Sequence, residues 1–252
     1  MFSFDRAEFL YEPYPIGLIK PVMEQDLYDA LVDTFPPIEL FKYKPKFGTK
    51  YTLSEKFSPD TYHKFITTSQ PWRELHAWVK SESFFRAVDG MLRAHYIDLG
   101  LRKAHLVSSS VWPWRLSEFA KGHWPRGHRL LRSRFEFSML PADGGCVTPH
   151  TDTPRKVITL VVPMVKEGEW DPSYGGGTEV NRAASHRHAF NQLNEQVPFE
   201  EVETLNTFEF GPNQCVIFAR SFNSLHCVRP ITAKGSKAMR RSITINIEKQ
   251  EF

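Results

Sequence analysis

The second half of the chain consists of short runs of β-branched and aromatic residues, separated by glycine and proline, with no long helical pattern between them. Runs of this composition are typical of β-strands. Because they are evenly spaced and lack intervening helices, they favour an antiparallel sandwich, barrel or jelly roll. The candidate strands are HLVSSSVW, LLRSRFEFSML, KVITLVVPM, GTEVNR, TLNTFEF, QCVIFAR and RRSITINIE.

Two of these runs alternate between apolar and polar residues, which places the two sets on opposite faces of a sheet. In RFEFSML the polar face carries Arg134, Glu136 and Ser138, and in RRSITINI it carries Arg240 and Ser242. The apolar face must cover a core. The polar face is either exposed surface, as is usual for an antiparallel sheet covered on one side, or the lining of a pocket inside a jelly roll.

Residues 22–105 show a different, helical pattern. Apolar residues recur at three- and four-residue spacing in MEQDLYDALVDTF, and the two prolines that follow end this helix. A second helix is predicted in QPWRELHAWVK. A third is predicted in SESFFRAVDGMLRAHYIDLG, with a serine cap at its start and Gly100 at its end.

The length of 252 residues and the hydrophobic content of 41% suit one domain with a substantial core. We expect a single domain over residues 1–252, mostly β with some α. Its mainly helical part, residues 1–105, would pack on the outer sheet face of a double-stranded β-helix (jelly-roll) core formed by residues 106–252.

Charge and cysteine content narrow the possible partners and the location. The formal net charge of +3 is too small to indicate nucleic-acid binding. Three cysteines, an odd number without CxxC spacing, argue against a disulfide framework and favour a reducing compartment. No apolar stretch approaches the length of a membrane span, and the first residues lack the apolar segment of a signal peptide. We therefore expect a cytoplasmic protein with no membrane span and no nucleic-acid partner.

The stretch TPHTDTPRK places His150 and Asp152 two residues apart, just before a strand. Side chains at positions i and i+2 of an extended segment point the same way, so the two could bind one metal ion. A hydrogen-bonded pair in a loop is the alternative. His226 follows an apolar strand and is either a structural histidine or a third ligand. Two imidazoles and one carboxylate are a set that suits a divalent metal with open positions.

An ordered series of segments resembles the 2-oxoglutarate/Fe(II)-dependent oxygenase superfamily, especially its prolyl-hydroxylase-like branch. The series is PHTD, KVITLVVPM, EGEWDPSYGGGTEV, GPNQCVIFARSFNSLHCVRPI and MRRSITINI, and it covers about residues 130–248. Each motif alone is weak, but their order is specific. The resemblance implies a jelly-roll enzyme that depends on Fe(II), 2-oxoglutarate and O2, with ascorbate as a stimulating reductant.

The resemblance also implies the roles of individual residues. His150, Asp152 and His226 would be the Fe(II) ligands, and an arginine of the last core strand would pair with the distal carboxylate of 2-oxoglutarate. Arg240 and Arg241 are both candidates. We expect Arg240, because it lies on the polar face whereas its neighbour lies with the isoleucines. The alternative is that both arginines lie on an exposed edge.

Other positions either support or depart from the pattern of the superfamily. Ser242 would help Arg240 to hold the carboxylate of 2-oxoglutarate. Several relatives carry a tyrosine where this chain has Leu140, so Thr159 or another residue of VITLVV would help instead. Asp152 occupies the position that halogenases of the superfamily leave open, so hydroxylation is implied rather than halogenation.

The stretch WPWRLSEFAKGHWPRGHRLLRSRF mixes basic residues with tryptophans. It forms either a cationic mouth for an anionic substrate or a solvated basic face with core tryptophans. For the first alternative, the predicted substrate contacts are Arg126, Arg129 and Arg134, followed along the strand by Glu136 and Ser138.

The expected reaction is hydroxylation of an unactivated C–H bond in a polar, anionic small molecule or saccharide, such as a sugar acid. Nucleic-acid demethylation is less favoured because the basic residues are confined to one stretch. A hydroxylase of protein or peptide residues is the main alternative. A non-catalytic jelly-roll metal-binding protein is the alternative from another class, and the presence of the complete ligand set with Arg240 argues against it.

Overall fold

The structure is a computed structural model that describes residues 1–45, 48–107 and 130–250. Its helices are α1 (Gln25–Asp33), α2 (Pro59–Thr68), α3 (Gln70–Val79) and α4 (Glu82–Ala94). Its strands are β1 (Ala7–Leu10), β2 (Ile16–Ile19), β3 (Lys42–Lys44), β4 (Lys50–Ser54), β5 (His105–Leu106), β6 (Leu130–Pro141), β7 (Val147–His150), β8 (Lys156–Pro163), β9 (Thr178–Ala183), β10 (Val202–Phe208), β11 (Cys215–Ala219), β12 (His226–Val228) and β13 (Met239–Lys249). Within the described ranges, no helix is both long enough and apolar enough to cross a membrane.

The strands form two sheets. The larger sheet has the order β1-β2-β11-β8-β13-β6-β4-β3, and β5 adds to it by pairing with β6 in parallel. The smaller sheet has the order β10-β9-β12-β7, and its strands are antiparallel. The mostly β, jelly-roll fold expected from the sequence is confirmed.

The helices cover the outer face of the larger sheet, as expected. Trp72 of α3 packs edge-on against Phe137 of β6, with ring centroids 4.7 Å apart. Leu31 of α1 and Ile243 of β13 belong to the same buried apolar cluster. Because side chains alternate along a strand, the polar residues of β6 and β13 point the other way, into the space between the sheets.

The apolar alternation of β6 and β13 and the three predicted helices, α1, α3 and α4, are where the sequence placed them, but α2 was not predicted and other details differ. Helix α4 ends at Ala94 rather than at Gly100, and Tyr96, with φ of 60°, lies in the left-handed region just after it. The predicted helical part also contains strands β3 and β4, and β4 pairs with β6. Strand β4 depends on a partner that is distant in sequence, whereas β3 forms a local pair with β4. The division of the chain at residue 105 remains a prediction.

Candidate active site

Two short strands of the smaller sheet bring the two candidate histidines together. His150 ends β7 and His226 begins β12, and the two residues are direct partners in the antiparallel ladder. Their ring centroids are 4.5 Å apart. Asp152 lies two residues beyond β7, and one ligand atom from each of the three side chains lies within 4.8 Å of the others. The sequence pattern HTD and the distant His226 thus converge on one point.

The backbone fixes which ring nitrogen of each histidine is available. Nδ1 of His150 lies 2.8 Å from the carbonyl oxygen of Thr148, and Nδ1 of His226 lies 2.9 Å from that of Ser224. Since a carbonyl oxygen only accepts, each Nδ1 carries the proton and each Nε2 keeps a lone pair. Burial, with the neighbouring imidazole, lowers the pKa of His150 to about 3, and burial also lowers the pKa of His226.

Asp152 supplies the negative charge of this cluster. Burial alone would raise its pKa, but the Lys156 ammonium and the two nearby imidazoles hold that pKa well below its usual range. Lys156 contacts Oδ1, and the Thr159 hydroxyl donates to Oδ2 at 2.5 Å. The three side chains therefore offer two neutral nitrogens and one ionised carboxylate, a donor set that fits a ferrous ion with open coordination positions.

Arg240 of β13 is buried on the polar side of the larger sheet, with 5% of its surface exposed. Its Nε donates to the carbonyl oxygen of Gly176 at 2.5 Å, and its Cζ lies 4.5 Å from the centre of the Phe210 ring. Burial lowers its pKa to about 10. In the part of the chain that the structure describes, no carboxylate lies within ion-pairing distance of this guanidinium.

The GGG turn of the sequence makes room for this arginine. Gly176 has φ of +84°, a conformation that side chains rarely adopt. A Cβ at this position would also lie 3.3 Å from Cδ of Arg240. Glycine at this position therefore allows the backbone carbonyl to approach and orient the guanidinium.

Arg240 lines a cavity of about 110 Å³, which we call the inner cavity. His150, Asp152 and His226 line it as well. The other predicted cosubstrate residues, Ser242 and Thr159, and the tyrosine-replacing Leu140 also line it. Arg241 points elsewhere and pairs with Glu169 at 2.8 Å near the surface. The two adjacent arginines therefore face opposite sides of the sheet.

Residues 135–248, which contain the histidine and aspartate cluster and Arg240, match the family model of the 2OG-Fe(II) oxygenase superfamily. The matched residues, 114 of the 252 in the chain, therefore form a 2-oxoglutarate/Fe(II) oxygenase domain. The protein is accordingly a dioxygenase that depends on 2-oxoglutarate, and its cofactors are Fe(II) and 2-oxoglutarate.

Solved structures with a similar fold include two prolyl hydroxylases. The sequence resembles the same branch of the superfamily. A Pseudomonas putida prolyl-4-hydroxylase is 14% identical, with 94% of this chain and 93% of that chain covered and a TM-score of 0.49. A Trichoplax adhaerens prolyl hydroxylase in complex with a peptide of hypoxia inducible factor is 10% identical, with 92% and 83% covered and a TM-score of 0.43.

A third structure, HygX from Streptomyces hygroscopicus with nickel and 2-oxoglutarate bound, is 11% identical, with 99% of this chain and 85% of that chain covered and a TM-score of 0.45. At these identities and TM-scores the three structures carry no argument about the substrate of this oxygenase. No curated protein matches the sequence.

A second and larger space, of about 280 Å³, adjoins the inner cavity, and we call it the outer cavity. His150 and Asp152 line both cavities, as do Lys50 and Lys156. Cationic side chains outnumber carboxylates seven to three among the described residues that line the outer cavity. The cations are Lys44, Lys50, Lys56, Arg132, Arg134, Arg155 and Lys156, and the carboxylates are Glu136, Asp152 and Glu248.

Of the predicted substrate residues, Arg134 and Glu136 line the outer cavity and Ser138 lines the inner one. Arg134 donates to Glu248 at 2.8 Å and to Glu136 at 3.1 Å. Glu136 also accepts from Lys50 at 2.8 Å. These side chains already bind one another, so they form a frame for the cavity. Arg126 and Arg129 lie outside the residues that the structure describes.

Sequence reasoning missed several residues of the outer cavity. Lys44, Lys50 and Lys56 lie on or beside strands β3 and β4, which were predicted as part of the helical half. No local signal identified them. Lys156 had a weak signal, because it follows Asp152 by four residues at the start of a predicted strand.

Proposed function

We propose that this oxygenase hydroxylates an unactivated C–H bond of a polar, anionic small molecule or saccharide, such as a sugar acid. The observation that carries the proposal is the outer cavity, which is lined by an excess of cations and adjoins the cluster of His150, Asp152 and His226. A concave site with cationic walls attracts and retains anions. Its volume of about 280 Å³ suits a small ligand better than a peptide segment.

In this proposal, Nε2 of His150, Nε2 of His226 and a carboxylate oxygen of Asp152 hold Fe(II). The guanidinium of Arg240 pairs with the distal carboxylate of 2-oxoglutarate. Arg240 is a buried cation with no carboxylate partner in the described ranges, which supports that role, because such a charge is costly unless a ligand completes it. Ser242 lies on the same face of β13 and lines the same cavity. When bound, the metal and 2-oxoglutarate supply the oxidation of the substrate C–H bond by O2, with release of succinate and CO2.

The protein's own residues orient the ligands and exclude competing states. The carbonyl groups of Thr148 and Ser224 hold each imidazole in the tautomer that presents Nε2. Lys156 and Thr159 hold the carboxylate of Asp152 in its ionised form and fix its rotation. Because all of these groups are in place without rearrangement of the fold, the site is preorganised for a metal ion.

The proposal is tested by measuring succinate formation from 2-oxoglutarate with Fe(II), with and without ascorbate, over a panel of sugar acids, neutral sugars and proline-containing peptides. We expect acids to stimulate succinate formation and to gain one oxygen atom, as detected by mass spectrometry. Products only from the peptides would instead support a residue hydroxylase. A folded, metal-loaded protein that binds no 2-oxoglutarate would refute the enzymatic role.

A further inference from the structure

The charges of the outer cavity are balanced in one part and not in another. Lys50 pairs with Glu136 at 2.8 Å, and Arg134 pairs with Glu248 at 2.8 Å. Lys156 contacts the carboxylate of the metal-binding cluster. Each of these cations is neutralised by a buried carboxylate of the protein itself, so they have little need of a further anion.

Lys44 and Lys56 differ from these paired cations. Both ammonium groups lie over the ring of Phe57, with Nζ of Lys44 4.3 Å and Nζ of Lys56 5.5 Å from its centre. Among the described residues, neither lysine has a carboxylate within ion-pairing distance. The two lysines and Phe57 line the outer cavity and do not line the inner one.

The register of β3 and β4 adds a second observation. Lys44 lies directly opposite Lys50 in this antiparallel pair, so the two side chains stand on the same face of the sheet. Like charges in this position repel each other and weaken the pair. Glu136 neutralises Lys50, but no described carboxylate neutralises Lys44. A bound anion would neutralise Lys44 as Glu136 neutralises Lys50, which is the behaviour expected of a ligand site.

We propose that Lys44 and Lys56 bind a phosphate group of the substrate and that the Phe57 ring contacts the apolar part of the substrate next to this phosphate. This inference rests on the proposed function. Two compact ammonium groups match a phosphate monoester, which carries nearly two negative charges at neutral pH. A lone carboxylate has one charge and a planar shape that suits arginine better. The substrate class becomes a phosphorylated small molecule or saccharide.

The phosphate group would be bound at a distance from the carbon atom that reacts. Lys44 is on β3, two strands away from β6, and neighbouring strands are about 4.8 Å apart. Lys50 and Lys156 line both cavities, whereas Lys44 and Lys56 line only the outer one. The anion is therefore held in the part of the outer cavity that lies away from the inner cavity. Binding energy from this group would orient the substrate without contacting the reacting atoms.

The experiment measures the binding of α-D-glucose 1-phosphate, D-glucuronate and D-glucose to the full chain, loaded with Fe(II) and 2-oxoglutarate under anaerobic conditions at constant ionic strength. We expect the phosphate to bind at least tenfold more tightly than the other two sugars. Lys44→Gln and Lys56→Gln should each weaken phosphate binding about tenfold, and Lys44→Arg should retain most of it. Lys64→Gln is the matched control, because Lys64 is exposed on α2 and lines neither cavity.

Equal affinity for the phosphate and glucuronate, no binding of the phosphate, or unchanged phosphate binding in both glutamine variants would overturn the inference. Thermal unfolding of each variant shows that a loss of binding is not a loss of fold. Succinate formation by the wild-type protein is measured in parallel. If succinate forms but phosphate is not preferred, only this inference fails; if no acid yields succinate, the proposed function fails independently of phosphate binding.

Discussion

The inner cavity contains the buried Arg240 and the outer cavity the half-buried Arg134, and only the second has carboxylate partners among the described residues. Arg134, in the outer cavity, pairs with Glu136 and Glu248; burial opposes its charge, and these carboxylates nevertheless raise its pKa. Arg240, in the inner cavity, has no carboxylate partner among the described residues, and burial lowers its pKa to about 10. A cation that the chain has already paired belongs to the framework, whereas an unpaired buried cation indicates a missing anionic ligand.

Strand β13 carries both the unpaired arginine and a carboxylate that pairs with the other arginine. Arg240 lies near the start of β13, and Glu248, the partner of Arg134, lies near its end. The polar face of this strand is therefore divided between a site for a ligand and a support for the cavity wall. Substitutions on the two sides should have effects of different kinds, on ligand binding in the first case and on stability in the second.

The largest effect is expected at the metal-binding cluster. Asp152→Ala removes the only carboxylate of the cluster and leaves the half-buried Lys156 ammonium without this partner. We expect metal affinity to fall by roughly 1000-fold, or ~4 kcal/mol, while circular dichroism shows the same fold. Asp60→Ala, at an exposed position in α2, is the control. Wild-type affinity for Mn(II) or Fe(II) in Asp152→Ala, measured by calorimetry, would refute its role as a ligand.

The next effect tests the difference between adjacent arginines. Arg240→Met should raise the KM for 2-oxoglutarate by about 100-fold, because a charge-assisted pair contributes about 2–3 kcal/mol. Arg241→Met should change that KM less than twofold, since its guanidinium pairs with Glu169 near the surface. Steady-state kinetics of succinate formation measures both. Equal or reversed effects would show that the proposed facing of the two arginines is wrong.

The polar face itself could be predicted because its signal is local. Alternation in RFEFSML and RRSITINI identifies the face that carries Glu136 and Arg240 without any knowledge of the partner strands. The convergence of His150 and His226 could be expected only from the ordered motifs, since the two are 76 positions apart in the numbering and each lies at the end of a very short strand.

The remaining features depend on distant partners. Strand β4, which brings Lys50 to the cavity, exists because it pairs with β6 more than 80 positions later. The sequence also contained no sign that Arg134 would pair with Glu248, 114 positions away. Arg134 and Glu136, the predicted substrate contacts, line the outer cavity, but other residues of the protein already neutralise their charges. Their role as substrate contacts remains a prediction.

The stability of the protein as a function of pH tests the ion pairs of Glu136 in the outer cavity. Burial disfavours the ionised form of Glu136, but Lys50 and Arg134 lower its pKa from 4.5 to about 2. Because this pKa is lower in the folded state, the stabilisation is complete above about pH 4.5 and is lost as pH falls towards 2. Glu136→Gln should cost about 2–3 kcal/mol at pH 7 and should flatten the loss of stability between pH 4.5 and 3.

Urea unfolding over this pH range measures the effect, with exposed Glu167→Gln as the control. Glu136→Gln will still lose some stability at acid pH, because Glu55, beside His76 and Lys80, also has a pKa lowered to about 2. If the variant retains the full pH dependence and stability of the wild type, the ion pairs of the outer cavity are not part of its framework.

The smallest effect is expected at the Thr159 hydroxyl, which contacts both a metal ligand and a neighbouring side chain. Thr159 donates to Asp152 at 2.5 Å and lies 3.1 Å from the amide oxygen of Asn246, so it orients the carboxylate without being a ligand. Thr159→Val keeps the shape and removes the donor, and should weaken metal binding about tenfold, as is usual for the loss of a group that orients a ligand. Thr159→Ser keeps the donor and should bind metal within about twofold of the wild type. If the valine and serine variants weaken binding equally, packing around Thr159 matters and its hydrogen bond does not; Lys156 alone would then fix the rotation of Asp152.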